Sequence, residues 1–460
     1  MTFSVADAQS ISRAVEITSD YMLKGNKVVV VVSAFPNITE ELTGISEKAV
    51  EGDLELMNEF VEGHLRRHIS FATKSIHDQN ILGRVVDELN ENSLELRGIL
   101  RSIARLRELT PRSKDFVLAF GERLSAPILC GAATEFGLKS EWLTGGEAGI
   151  TTDENFGEAN PLMDMTMRKI RAKLAQLLNE GKFPIVAGRG AASPRGVTTT
   201  LGRGGSDYTA TLIGASLDAD EVLIWKDMGG FMTADASIEP NARVIQRISY
   251  AEAIEMAYFG AKAIHPRAIQ PLLEKQIPVR LRSSNDPMTE GTLIAGDREV
   301  NAGVVVKSVI LVGNVAMVSV TGAGMAGLPG VAARVFKVLG DTGVNILMIS
   351  QSSSEAGISF VLPGEKLQQA KNALGLGLIG TELQIASEDD VCVVAAVGAG
   401  MKGSPGVAAR VFRAVAEKGV NVRMIAQGSS ELNISFIVAE MDGPKTIRAL
   451  HEEFKLGGNL

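Results

Sequence analysis

The hydrophobic pattern along the chain changes period several times, and each change marks an element. Residues 28–34, Val-Val-Val-Val-Val-Ser-Ala, form an unbroken apolar run, as expected of a strand buried on both faces. Shorter runs at 184–187 and 221–225 read as further strands. Apolar residues at helical spacing separate them, at 161–179 and 250–260. Such alternation predicts a doubly wound, mainly parallel sheet with helices on both faces. Residues 49–110 combine helical spacing with mixed charge and read as a solvated helical hairpin.

The C-terminal third has a different period because it repeats. Residues 322–336 read GAGMAGLPGVAARVF and residues 398–412 read GAGMKGSPGVAARVF, differing at two positions. A constant offset of 76 residues pairs Met325 with Met401, Asn345 with Asn421, Gln351 with Gln427, Ser353 with Ser429 and Glu355 with Glu431. Two modules of about 70 residues are therefore expected. Each opens with a strand (315–320; 391–397), continues through a glycine-rich turn into a helix, and returns in strands; in the first module these lie at 345–350 and 358–361. In the first helix Ala332, Val335, Phe336 and Leu339 share one face. Glycines at this turn let backbone N–H groups converge beside a helix N-terminus, which favours a carboxylate. Glycines alone equally serve a tight turn.

Composition narrows the chemistry. With 45% hydrophobic and 22% charged residues, the 460-residue chain fits roughly three soluble domains. Its formal charge of -8 does not favour nucleic acid or an anionic membrane surface, so an anionic substrate needs locally placed donors. Cys130 and Cys392 are far apart, the five histidines form no metal-ligand pattern, and no apolar stretch approaches about 18 residues. A reducing cytosol, no structural metal and no membrane partner are the expectations.

Three stretches carry candidate chemistry. The first is Phe120-Gly-Glu122-Arg-Leu-Ser125. The second, Thr199-Thr-Leu-Gly-Arg203-Gly204-Gly205-Ser206-Asp207-Tyr208, reads as a strand, a glycine-rich turn, and Ser206 capping a helix. The third runs from Ile224-Trp-Lys226-Asp227 through Gly230 and Thr233 to Lys262-Ala-Ile-His265-Pro266-Arg267. Glycines let amides approach phosphate oxygens, Arg203 can clamp a carboxylate with two prongs, and Glu122 and Asp207 can accept from an α-ammonium. His265 reads as a structural cap, and Tyr208 and Trp225 as core.

Together and in this order, these stretches resemble the amino-acid kinase domain of aspartokinases, a carbamate-kinase-like fold, from about residue 5 to residue 294. The repeated string resembles the paired ACT modules, ferredoxin-like α+β units, at the end of the same enzymes. The resemblance implies a catalytic domain over 1–297 and ACT domains over 308–385 and 386–460. It implies ATP- and Mg²⁺-dependent phosphorylation of the L-aspartate side-chain carboxylate, opening lysine, threonine and methionine biosynthesis. By family role Ser33, Thr39, Glu122 and Arg203 would hold aspartate, and Asp207, Glu122 and Ser206 would serve catalysis. Gly204, Gly205, Asp227, Gly230 and Lys262 would meet the nucleotide. Met325, Gly330, Asn345, Ile346, Gln351, Ser353 and Glu355 would meet an effector such as lysine or threonine. Paired modules imply a homodimer or larger assembly.

Departures cluster. Where the family begins Lys-Phe-Gly-Gly-Thr-Ser-Val, this chain has Met1-Thr2-Phe3-Ser4-Val5, and the lysine, both glycines and the first strand are expected to be missing. Thr-Asp-Val-Asp-Gly-Val-Tyr-Thr-x-Asp-Pro-Arg has become the stretch from Lys226 to Ser237, Lys-Asn-Thr has become Arg282-Ser283-Ser284, and a phenylalanine near the substrate has become Arg189. Most changes fall on the ATP side. One lost cation at a transferring phosphoryl group costs about 3 kcal/mol. A catalytically impaired, amino-acid-sensing subunit that partners a complete aspartokinase therefore stands beside the enzyme reading.

Overall fold

The computed structural model describes residues 1–261, 263–296, 304–322, 330–352, 357–379 and 381–458. The chain forms two compact units, Met1–Gly230 with Ala263–Gly296, and Phe231–Lys262 with Asp297–Leu460.

In the first unit the strands lie in the order Ser140–Leu143, Phe183–Ala187, Val30–Val32, Thr2–Phe3, Val222–Lys226, Val279–Ser283 and Thr292–Ala295. Neighbours are parallel except the last pair, which is antiparallel. The mainly parallel sheet is as expected. Of the valine run, all five valines are buried but only Val30–Val32 enter the ladder.

The expectation of a missing first strand is corrected. Thr2 pairs with Val31 and Ile224, and Phe3 with Val32 and Trp225. Without them two central strands would face each other with unsatisfied N–H and C=O groups in a dry interior, so even two extended residues are held there. The Phe3 ring stacks on Trp225 with centroids 5.8 Å apart, and Trp225 is core, as expected.

Helices Leu54–Ser75 and Gln79–Leu106 form the expected hairpin, capped at their N-termini by Asp53 and Asp78. It is not merely solvated. Met57, Val61, Leu89, Leu96 and Leu100 recur at helical spacing and belong to the main core with helix Phe120–Glu135. Each such burial is worth about 1.5–3 kcal/mol, which outweighs the hairpin's charged outer face.

In the second unit one antiparallel sheet runs Met348–Gln351, Gly357–Pro363, Ser308–Thr321, Gln384–Val397, Asn433–Ala439, Met424–Ala426. The strands foreseen at 315–320 and 391–397 are parts of two 14-residue strands paired with each other. The strand foreseen at 345–350 begins only at Met348. The repeats share these long strands. Val309 packs with Val394, Val411 and Phe436, whereas Val318 and Val320 pack with Val335, Leu339 and Phe360.

Candidate active site

The C-terminal ends of the parallel strands build the site, the end at which open α/β sheets bind ligands. Ser33 follows Val30–Val32; its N–H donates to Phe3 O at 3.3 Å and its carbonyl accepts from Ser125 Oγ at 2.9 Å. Gly188 follows Phe183–Ala187. A Cβ there would lie 2.5 Å from Ser206 Oγ and 2.9 Å from Val32 O, so only glycine lets the helix Gly205–Ser216 start so close to the strand ends.

That helix does not begin as the sequence suggests. Ser206 does not cap it; Gly204 is the N-cap, in the left-handed region at φ 72°, and Ser206 lies inside the first turn. A Cβ on Gly204 would sit 2.5 Å from His265 Cβ, which leaves no room for a serine-type cap at that position. No side chain among the described residues caps this end. Free N–H groups and the positive pole of the helix dipole remain available to an anion.

Arg203, exposed on the turn, lines a cavity of about 510 Å³ with Lys114, Asp115, Glu158, Arg189 and Thr200. Asp115 is buried and fixes this wall. It accepts from Thr200 N at 2.8 Å, Thr200 Oγ1 at 2.7 Å and Gly157 N at 3.0 Å. Burial still pushes its carboxyl above the usual range. Nothing in a single sequence marks Asp115, one acid inside the short helix Pro111–Leu118.

Arg189 links the cavity to Glu122. Burial pushes the Glu122 carboxyl up to about 7, opposed by the positive charge of Arg189 and a backbone hydrogen bond at Ala34. Glu122 is 3% exposed, and its Oε2 has no hydrogen-bond partner among the described residues.

Asp207, also in the first helical turn, is buried and paired with Lys226 Nζ at 2.7 Å. Burial raises its carboxyl above the ordinary range, while Lys226 and then His265 pull it back. The cation at position 282 goes elsewhere. Arg282 lies 4.8 Å over the Trp225 ring and donates to Pro287 O and Thr289 O, bracing its loop.

The remaining sequence candidates spread outward. Thr39 is half-buried in the first turn of helix Ile38–Lys48. Asp227 is exposed, its carbonyl accepting from Ser283 Oγ at 3.2 Å. Gly230 packs so tightly that a Cβ would meet Thr292 Oγ1 at 2.1 Å. Lys262 lies outside the described residues. His265 caps helix Pro266–Leu273 by accepting from Arg267 N, and Tyr208 is buried beneath the Arg267 guanidinium; both are structural, as expected.

Residues 2–283 match the amino acid kinase family, and residues 318–375 and 394–454 match an ACT domain. Aspartokinase 1, chloroplastic, of Arabidopsis thaliana is 32% identical over 470 residues, covering 99% of this chain and 79% of that protein. The chain belongs to the aspartokinase family. The bifunctional aspartokinase/homoserine dehydrogenase 2, chloroplastic, of the same plant is 31% identical over 98% of this chain and 50% of its own length. The chain thus spans about half the length of the bifunctional relatives it matches. Crystal structures of E. coli aspartokinase III superpose with a TM-score of 0.80 in complex with aspartate and ADP, and 0.77 in complex with lysine and aspartate. Each is 26% identical and covers 98% of both chains.

Within the aspartokinase architecture the two ACT repeats can be compared turn by turn. Gly330 at φ 92° starts helix Val331–Asp341, as Gly406 at φ 85° starts Val407–Glu417. Ile346 O accepts from Tyr258 Oη at 3.2 Å, Asn345 is exposed beside it, and Gln351 ends its strand. Met325, Ser353 and Glu355 lie outside the described residues. In the second repeat Gly403 N donates to Glu431 Oε2 at 2.7 Å and Ala399 N to Glu252 Oε1 at 2.7 Å.

Proposed function

We propose that this chain is an aspartate kinase, transferring the γ-phosphoryl group of ATP to the side-chain carboxylate of L-aspartate under amino-acid control. The observation that carries the proposal is the meeting of Arg203 and Arg189 on one cavity beside an uncapped helix N-terminus. A small dicarboxylate finds cations there, Glu122 offers an acceptor to its ammonium, and the helix start offers amides to phosphate oxygens. In this reading Arg203 grips the α-carboxylate, with Ser33 and Thr39 supporting. Ser206, Asp207, Gly204 and Gly205 face the phosphoryl group, and Asp227, Gly230 and Lys262 serve the nucleotide. ATP enters as its Mg²⁺ complex, so the metal is part of the substrate.

The relatives solved with aspartate and ADP, and with lysine, support this reading of substrate, nucleotide and effector class. Lysine or threonine would act at the first repeat around Gly330, Asn345, Ile346 and Gln351. We further propose a cytosolic homodimer or an assembly of dimers, joined through the repeats. The decisive assay incubates the purified protein with aspartate, ATP and Mg²⁺ and traps aspartyl phosphate with hydroxylamine. Product is expected. Its absence, with calorimetric binding of lysine or threonine retained, would instead favour the sensing subunit to which the lost nucleotide-side residues point.

A further inference from the structure

We infer that Lys226 is the cation that meets the phosphoryl group in flight; the inference rests on the kinase reading above. Register makes the case. Phe3 lies opposite Trp225, and Ser4 N donates to Trp225 O at 3.3 Å, so Lys226 is the next step of the strand beside the first one. The two residues of that first strand, Thr2 and Phe3, bring no side-chain charge to its C-terminal end. The family residue at position 226 is a neutral threonine. Lys226 supplies a cation one strand spacing, about 4.8 Å, from that strand.

The geometry suits the task. Asp207 holds Lys226 Nζ at 2.7 Å, and Asp207 is itself locked in the first turn of a buried helix. An ammonium has three donors, and Asp207 uses one. The Lys226 side chain is 26% accessible against 10% for Asp207, so the remaining donors face the open side of the pair. A cation fixed in advance needs no reorganisation when charge develops. Arg282 cannot substitute, because its guanidinium is taken by Trp225, Pro287 and Thr289.

In the reaction an aspartate carboxylate oxygen forms the bond to the γ-phosphorus, the bond to the bridging oxygen breaks, and its electron pair leaves on ADP. The carboxylate attacks already ionised, so Lys226 keeps its proton throughout and stabilises charge on the equatorial oxygens.

The test uses the full chain carrying Lys226→Met or Lys226→Thr, the latter restoring the family residue. We expect kcat for trapped aspartyl phosphate to fall about a hundredfold in both. The KM for aspartate should move less than about threefold. Binding of ADP with aluminium fluoride and aspartate should weaken in parallel with kcat, while binding of ADP alone should not. Ethylamine should restore part of the rate of Lys226→Ala. Wild-type kcat in the Met and Thr variants overturns the inference. So does recovery of wild-type kcat in Lys226→Met/Asp207→Asn, because Lys226 would then only neutralise Asp207. Wild-type protein that makes no aspartyl phosphate sinks the kinase reading itself; an active wild type indifferent to Lys226 sinks this inference alone.

Discussion

Glu252 and Lys307 form an ion pair from which water is almost excluded: Oε2 and Nζ are 2.8 Å apart, and the side chains are 0% and 5% exposed. Oε2 also accepts from Ser249 N, and Oε1 accepts from Ala399 N in the glycine turn of the second repeat. One carboxylate thus ties a helix start, a strand entry and a turn together. Breaking a buried pair strands a charge, so Lys307→Met should destabilise the second unit by about 3–5 kcal/mol. Replacing both partners, Lys307→Met with Glu252→Gln, should cost clearly less. Amide hydrogen exchange along Gln384–Val397 reports this directly; unchanged protection in the single variant would refute it.

What could be read in advance was local. A valine run signals a buried strand through its own side chains, and a 15-residue string repeated after 76 residues announces two copies of one unit. The glycine-rich turn, Arg203 and Glu122 were visible as residue types. The rest depends on contacts between distant segments. Ser206 looked like a cap because serine prefers that position, yet the approach of His265 to Gly204 decides where the helix begins. Asp115 organises Thr200, 85 residues away, with no sequence mark. The sharing of long strands between the repeats follows from pairing Ser308–Thr321 with Gln384–Val397, which neither strand's pattern reveals.

Arg203 stands at the mouth of the 510 Å³ cavity, where Arg189 is the second guanidinium. If Arg203 grips the α-carboxylate, Arg203→Ala removes a charge-assisted pair and should weaken aspartate binding by at least ~2 kcal/mol. Arg189→Phe, the family residue, removes the charge that opposes Glu122 protonation, so its effect should grow as pH falls. Titration calorimetry at two pH values measures both. Unchanged affinity in Arg203→Ala would remove that residue from the site.

Glu122 gives a pH dependence whose sign can be worked out. Its folded carboxyl is raised from 4.5 to about 7, mainly by burial. The folded protein therefore keeps a proton between those values where the unfolded chain has lost it, and stability falls as pH rises through that window. Binding has the opposite slope. Only the ionised carboxylate accepts well from an ammonium, so aspartate affinity should rise as much as tenfold per unit up to pH about 7 and then level off. Glu122→Gln should flatten both profiles. A wild-type affinity constant from pH 5.5 to 8 would show that Glu122 does not titrate at the substrate.

Gly204 offers the sharpest separation of backbone strain from site geometry. Gly204 and Gly196 both adopt positive φ, 72° and 77°, but a Cβ at Gly196 would meet nothing within 4 Å, whereas at Gly204 it would strike His265 Cβ at 2.5 Å. Alanine at either position pays the left-handed penalty of about 1–2 kcal/mol. Only at Gly204 must the helix start also shift, carrying Ser206 and Asp207 with it and loosening the contact with Lys226. Gly196→Ala should therefore lose stability while keeping kcat, and Gly204→Ala should lose at least about tenfold in kcat as well, since small misplacements of reacting groups are costly. Gly204→Ala with His265→Gly removes the clashing Cβ and should recover part of that loss, although the cap on Pro266–Leu273 goes with the imidazole. Equal kcat in the two single variants would mean that the position of this helix start does not govern the chemistry.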